Sequence, residues 1–239
     1  WALKSSAKGI EIMAKKGKRY QDALKKAPQQ AVTLEEAVAF VKANAGAKFD
    51  ETVDVSLRLG VDISKSDQTV RGTLTLPHGS GKLVRVIVFA AGAQADAAKA
   101  AGAMEVGYED LIEKVKGGWT DFDVAIATTD AMKLVRNVAR VLGPRGLMPN
   151  PKTGTVTDDV ASAVKASMGG KVDFRMDRTG NCCVVAGKRS FDGAKLVDNV
   201  NAIIEAVRHE RPSSAKGVFI RSCTISSTMG VGVRVIVKE

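Results

Sequence analysis

The chain reads as a two-domain α+β protein, in which a discontinuous, sandwich-like α+β domain is interrupted by an inserted α/β domain. Three observations lead there. Strands with one apolar face occur before residue 78 and again after residue 171. Between them, strands that are apolar on both faces alternate with helices. Glycines mark both changes of pattern. The expected divisions are residues 1–31, a basic extension leading into domain one; 32–78 with 171–239, the discontinuous domain; and 79–170, the insert.

Thr33-Leu-Glu-Glu36 has capping-box spacing, a hydroxyl at the cap and a carboxylate three residues on. Leu34, Ala37, Val38 and Val41 then recur at helical intervals, predicting a helix to about Asn44. The period changes at residue 52. Val53, Val55, Leu57 and Leu59 alternate with Thr52, Asp54, Ser56 and Arg58, a half-buried strand. A second strand turns Val70, Leu74 and Leu76 inward and Thr69, Arg71, Thr73 and Thr75 outward. One-sided strands of this kind predict an antiparallel sheet with one covered face.

After "PHGSGK" (77–82) the texture differs. "VRVIVFA" (84–90) is continuously apolar, and helices follow over Gln94–Ala101 and around Tyr108–Lys116. "FDVAIATTD" (122–130) is a second buried strand, followed by a helix with Leu134, Val138, Val141 and Leu142 on one stripe. Thr157 is placed to cap a further helix, with Asp158 and Asp159 favourable against its N-terminal dipole. "MGGK" (168–171) closes the block, and alternation returns with Val172, Phe174 and Met176 on one face. "DRTGN" (177–181) turns into a partner strand near Cys183–Ala186. A helix with Leu196, Val200, Ile203, Ile204 and Val207 on one face runs until Pro212, and strands over Val218–Ser227 and Val231–Val237 end the chain.

Net charge is +10, unevenly spread. Residues 1–31 carry eight Lys or Arg against two acids, and residues 171–239 carry twelve against seven, which points to a polyanionic partner or a solubilising surface. Three cysteines, two of them adjacent, have neither disulfide-framework nor zinc spacing, and with only two histidines no metal site is expected. The longest apolar run is too short to cross a bilayer, so no membrane partner is expected.

The least ordinary stretch is "LGPRGLMPNPKTGTV" (142–156), with three glycines, three prolines, two basic residues and no acid. It is not a phosphate loop, because GxxxxGK[ST] occurs nowhere; GxGxxG, GxSxG and HExxH are absent too. No catalytic residue and no cofactor is assigned. An enzyme reading would instead predict saturable nucleotide binding by the insert, independent of Thr228 and Met229.

"VLGPRGLMPNPKTGTVT" closely resembles the signature of the bacterial-type ribosomal protein L-one family, the lateral stalk protein of the large subunit. "KRYQDALKK", "AKFDETVDV", "DQTVRGTLTLPHGSGK", "GGWTDFDVAIATTDAM", "FRMDRTG" and "SSTMG" resemble that family's segments in the same order, from about Lys18 to Val237. The resemblance implies a discontinuous RNA-binding domain carrying a Rossmann-like insert. It implies rRNA contacts at Lys48, Phe49 and Thr52; at Arg175, Asp177, Arg178 and Thr179; and at Ser222, Thr228, Met229 and Gly230. Arg145 and Lys152 suit a secondary RNA contact, and Gly79, Gly81, Gly169 and Gly170 would form a hinge. The chain departs from the family pattern at Cys183, where His is common, and at Val231, where Pro is usual.

Plainer readings stand beside these. Phe49 is either a contact or a core residue, Met229 either a contact or a gap-filler, and Arg175 and Arg178 either bind phosphate or pair with Asp177. The resemblance implies a non-catalytic protein, monomeric when free, that binds the large-subunit rRNA stalk and assists release of deacylated tRNA from the exit site. The alternative is a translational repressor bound to its own mRNA. The expected location is the ribosome, with the first residue and the unmatched basic leader leaning toward an organelle, mitochondrion or plastid, over a bacterial cytoplasm.

Overall fold

A computed structural model describes residues 17–44 and 46–237, without the side chains of Ser66 and Lys152; the basic leader over 1–16 lies outside these described residues. Helix α1 (Lys18–Lys26) is exposed and buries no residue. Helix α2 (Leu34–Asn44) opens on the expected capping box, in which the Glu36 N–H donates to Thr33 Oγ1 at 3.4 Å and the Thr33 N–H donates to Glu36 Oε2 at 3.3 Å. Strands β1 (Thr52–Leu59) and β2 (Arg71–Thr75) follow. The insert comprises β3 (Val86–Phe89), α3 (Ala93–Ala100), β4 (Glu105–Gly107), α4 (Glu109–Lys116), β5 (Val124–Ala127), α5 (Met132–Val135), α6 (Ala139–Leu142) and α7 (Val160–Met168). The chain then returns through β6 (Lys171–Arg175), β7 (Asn181–Lys188), α8 (Gly193–His209), β8 (Ile220–Ser227) and β9 (Val233–Val235).

The described residues form three separate sheets, and the fold is two-domain α+β. The largest is antiparallel in the order β7-β1-β8-β9, and β2 pairs with β6 in a two-stranded ribbon. One core binds these to helices α2 and α8, with Val53, Val55, Leu57, Val184 and Ile225 meeting Ala37, Val38, Val41, Leu196, Val200 and Ile203. Each such aliphatic side chain withdrawn from water contributes about 1.5–3 kcal/mol. The insert is a three-layer unit around the parallel sheet β4-β3-β5. Alternate residues of β3 feed its two faces: Ile87 and Phe89 pack with α4 and the 131–142 segment, while Val86 and Val88 pack with α3 and α7.

Several local expectations need correction. β2 does not join β1; it pairs with β6, and the "DRTGN" turn links β6 to β7 through a single bridge, Met176 to Cys182. Helix α7 is capped by Asp159, whose carboxylate accepts from the Ser162 N–H at 3.3 Å; Thr157 Oγ1 accepts instead from the Asp159 N–H. The helix expected to carry Leu134, Val138, Val141 and Leu142 on one stripe is broken by a 3-10 turn at Arg136–Val138, so that Val135, Val138 and Leu142 are the buried stripe. Strand β4, three residues long, carries no alternation that would announce it.

Candidate nucleic-acid interface

The period-two pattern of β1 gives the sheet two unlike faces. Odd positions 53–59 enter the core, so Thr52, Asp54, Ser56 and Arg58 stand on the face away from the helices. Strand β8 sets Ser226, Thr224 and Ser222 opposite Asp54, Ser56 and Arg58, and β7 sets Val185, Cys183 and Asn181 along the other side. The result is a largely polar face on the side of the sheet away from α2 and α8. The departure at Cys183 falls in its middle, where Cys183 Sγ lies 3.3 Å from Ser56 Oγ.

At one end of that face two loops are tied together by a residue that sequence reasoning missed. Glu51 is fully buried, and its carboxylate accepts from the Ala47 N–H at 2.9 Å and the Met229 N–H at 3.3 Å. Burial pushes this carboxyl up, but the neighbouring Ser227 hydroxyl, those two N–H groups and Arg189 outweigh it and hold it below its ordinary value. Thr228 crosses to the same strand end: its N–H and its hydroxyl both donate to the Thr52 carbonyl, at 3.0 and 3.3 Å, and its Oγ1 accepts from the Thr52 N–H at 3.1 Å. Lys188 Nζ donates to Thr52 Oγ1 at 2.9 Å, adding a cation to the rim, and Lys188 opposes the upward push of burial on Asp54.

Phe49 and Met229 are 54% and 55% exposed, so neither serves as a core or gap-filling residue; they project from the loops that Glu51 joins. Lys48 is exposed beside them. Gly230 is required sterically, since a Cβ there would lie 2.3 Å from the buried Ser227 Oγ. Val231, the second departure, is buried, 6% exposed.

The remaining expected contacts lie at the other end. Ser222 sits across from Arg58, which on its other side faces Asn181 at the close of the 177–181 turn. Thr52 and Arg58 are separated by about 20 Å of extended chain. The expected residues thus bracket one face and do not form one cluster. Asp177 is consumed locally: it accepts from the N–H groups of Asn181 and Thr179 and from the Thr179 hydroxyl, each at 2.8 Å. The Asn181 N–H, then the Thr179 hydroxyl and N–H, hold its carboxyl below the usual range. Arg175 and Arg178 are exposed and make no ion pair with Asp177 or any other described residue.

The connections to the insert are built on glycine. Gly79, Gly81 and Gly170 have φ of 69°, 72° and 97°, whereas Gly169, at −72°, needs no special freedom. A Cβ on Gly170 would lie 2.5 Å from Gly79 Cα, so the two connecting segments touch backbone to backbone. Buried Asn199 of α8 anchors the first of them, accepting from the His78 N–H at 3.1 Å and donating to Gly79 O at 3.1 Å and Ala186 O at 2.7 Å.

The glycine–proline loop folds on one carbonyl. Asn150 O accepts from Thr153 Oγ1 at 3.0 Å, from the Thr155 N–H at 3.2 Å and from Thr155 Oγ1 at 3.2 Å, before residue 156 bridges to β5 at Ala127. Arg145 is exposed there; the side chain of Lys152 lies outside what is described. Cys182 and Cys223 are buried, which pushes both thiols up to about 11. Among the described residues, no three His, Cys, Asp or Glu side chains converge as a metal site, and no helix is long and apolar enough to cross a membrane.

Comparison with known proteins agrees with this architecture. The profile of the Ribosomal protein L1p/L10e family matches residues 41–231. The large ribosomal subunit protein uL1 of Streptococcus agalactiae is 54% identical over 224 residues, covering 93% of this chain and 98% of its own length. That of Mycobacteroides abscessus is 52% identical over 224 residues, covering 93% and 95%. In Streptococcus pneumoniae the protein of that name is 53% identical over 228 residues, covering 95% and 100%. The chain described here belongs to the Ribosomal protein L1p/L10e family.

Proposed function

We propose that this chain is a structural, non-catalytic component of the large ribosomal subunit that binds the stalk region of large-subunit rRNA. Membership of a ribosomal-protein family, not an enzyme family, supports the first part. One observation carries the second: the buried Glu51 carboxylate locks the loop bearing Lys48 and Phe49 to the loop bearing Thr228, Met229 and Gly230, at the rim of a largely polar sheet face.

The rim's chemistry favours RNA. A hydroxyl has one hydrogen and two lone pairs. Thr228 spends its hydrogen on Thr52 O and one lone pair on the Thr52 N–H, leaving a single acceptor site. That site cannot bond a phosphate oxygen, which is itself an acceptor, but it can receive a ribose 2′-OH. Exposed Phe49 and Met229 offer apolar surface for bases, while Lys48, Lys188, Arg58, Arg175 and Arg178 supply cations for phosphates. Asp177 and Thr179 serve this surface by shaping the turn that carries Arg178.

We assign residues 32–78 and 171–239 to the anchored RNA-binding domain and residues 79–170 to a Rossmann-like insert, with the Gly79–Gly81 and Gly169–Gly170 seams as the hinge; the separate cores support this division. Movement of the insert would help deacylated tRNA leave the exit site, and unchanged interdomain distances between free and RNA-bound protein would count against that. The alternative role, repression through the protein's own mRNA, uses the same rim, so the two RNAs would compete. The bacterial relatives give no ground for preferring an organelle over a bacterial cytoplasm.

The test is binding to an rRNA stalk fragment and to a size-matched duplex across a salt series. Specific recognition requires stalk binding that survives moderate salt while the duplex is lost. Equal, steeply salt-sensitive binding to both would reduce the reading to net charge.

A further inference from the structure

Where the two domains face each other they form a cavity of about 340 Å³, walled by β1, β6 and β7 on one side and by the insert on the other. That volume is at the small end of ligand pockets. Part of the lining is apolar, at Val124, Val172 and Val185. Beside the valines stand polar groups whose hydrogen-bonding capacity is largely unspent. Ser167, in the last turn of α7, is 4% exposed, yet its hydroxyl makes no hydrogen bond among the described residues and is not sealed off from the cavity it lines. A buried hydroxyl without a partner costs free energy that a bound acceptor recovers. Ser80 in the first connection is likewise without a partner among the described residues.

The ammonium groups add to this surplus of donors. Thr52 Oγ1 accepts from Lys188 Nζ at 2.9 Å and keeps its own hydrogen, while Lys188 keeps two of its three. Lys171 reaches from β6 to the insert, where a Cβ on Gly154 would lie 3.0 Å from its Nζ. It makes no ion pair or hydrogen bond among the described residues. Lys82 is already matched by Asp123 at 2.6 Å. Asp173 is the one carboxylate among the described residues of the lining, and burial pushes it up against the pull of Lys171 and Arg71. Asp54, beside Lys188, is pushed up by burial likewise. These acids and the carbonyl end of α7 oppose an anion by charge. The unspent hydrogens call for one, because a ligand that satisfies them must be rich in acceptors. An ionised phosphate monoester offers three strong acceptor oxygens, and its ester group matches the valines.

We propose that this cavity binds a small phosphate monoester, held by Lys171 and Lys188 of the discontinuous domain and by Ser167 of the insert, so that one small molecule bridges the two domains. The site stands whether or not the rim binds RNA.

The test is calorimetric titration of the full chain with phenyl phosphate and with inorganic phosphate, at fixed ionic strength in chloride. It compares the wild type with Lys171→Gln, Ser167→Ala, Asp173→Asn and Lys116→Gln. Lys116, exposed on α4, carries the same charge as Lys171 but lies outside the cavity. Saturable binding should weaken about 10-fold or more in Lys171→Gln and about 3- to 10-fold in Ser167→Ala, and stay unchanged in Lys116→Gln. Asp173→Asn should bind more tightly, with one opposing charge gone. Without ligand, Ser167→Ala should melt no lower than the wild type, since it removes an unspent hydroxyl and puts a better helix former into α7. A merely structural serine would not combine that with weaker binding. Phenyl phosphate should bind more tightly than inorganic phosphate; equal affinities would replace the ester by the free ion. No saturable binding, or an equal loss in Lys116→Gln and Lys171→Gln, would overturn the site and leave only net charge.

Discussion

Glu51 and Asp177 do similar work at opposite ends of the sheet face: each carboxylate gathers backbone N–H groups of a loop. They differ in depth. Asp177 is exposed, and its donors all belong to its own five-residue turn, so water can replace the carboxylate where it is lost. Glu51 is fully buried, and its donors come from loops nearly two hundred residues apart in sequence. No solvent is at hand to replace it. The lesson is that an exposed acid shapes a turn, whereas a buried one fixes two separate loops as a single surface.

Removing Glu51 should break that contrast most strongly. Glu51→Gln turns a two-oxygen acceptor into a group whose NH₂ faces N–H donors, and it should cost about 2–4 kcal/mol in urea unfolding. The cost should depend on pH in a defined direction. A carboxyl whose folded pKa lies below its ordinary 4.5 stabilises fully above that value and loses its contribution as pH falls through the folded value. The stability gap between wild type and Glu51→Gln should therefore narrow below pH 4.5. A gap independent of pH would mean that the charge on Glu51 is irrelevant.

Gly230→Ala comes next, at about 1–3 kcal/mol, because its Cβ would meet the Ser227 hydroxyl. The double variant Ser227→Ala/Gly230→Ala removes the colliding atom and should recover most of the loss. Failure to recover would place the constraint in the backbone instead. Thr228→Val should cost about 1–3 kcal/mol of RNA affinity, since a shielded partner is left unsatisfied. Replacing the contacting ribose by deoxyribose should then have no further effect in that variant. Smallest is Asp177→Asn: the melting temperature should fall by less than in Glu51→Gln, and stalk binding should weaken only through the arginines that flank the turn.

Much of this was legible in residue order, and the misses are instructive. The inward phase of β1 was plain from Val53, Val55, Leu57 and Leu59, and it extends one step upstream to Glu51. An acid in that phase reads as a surface charge until the loops that donate to it are seen. Asn199, in the buried stripe of α8, is hidden for the same reason. The cap of α7 moved from Thr157 to Asp159 because local sequence offers three adjacent capping residues, and only the helix start at Val160 selects among them. Alternation in β2 and β6 revealed their faces but not that they pair with each other, since pairing depends on the insert bringing distant segments together. The expected contacts fell at both ends of one face because motifs record residues, not the 20 Å or so of strand between them.

The most direct measurement is the affinity of the stalk fragment for wild type and for Thr228→Val across a salt series. The rim as described predicts a clear loss in the variant with an unchanged salt slope, because the missing bond is to a 2′-OH and releases no counterion. Equal affinities for the two proteins, or a loss that appears only as a shallower slope, would contradict it.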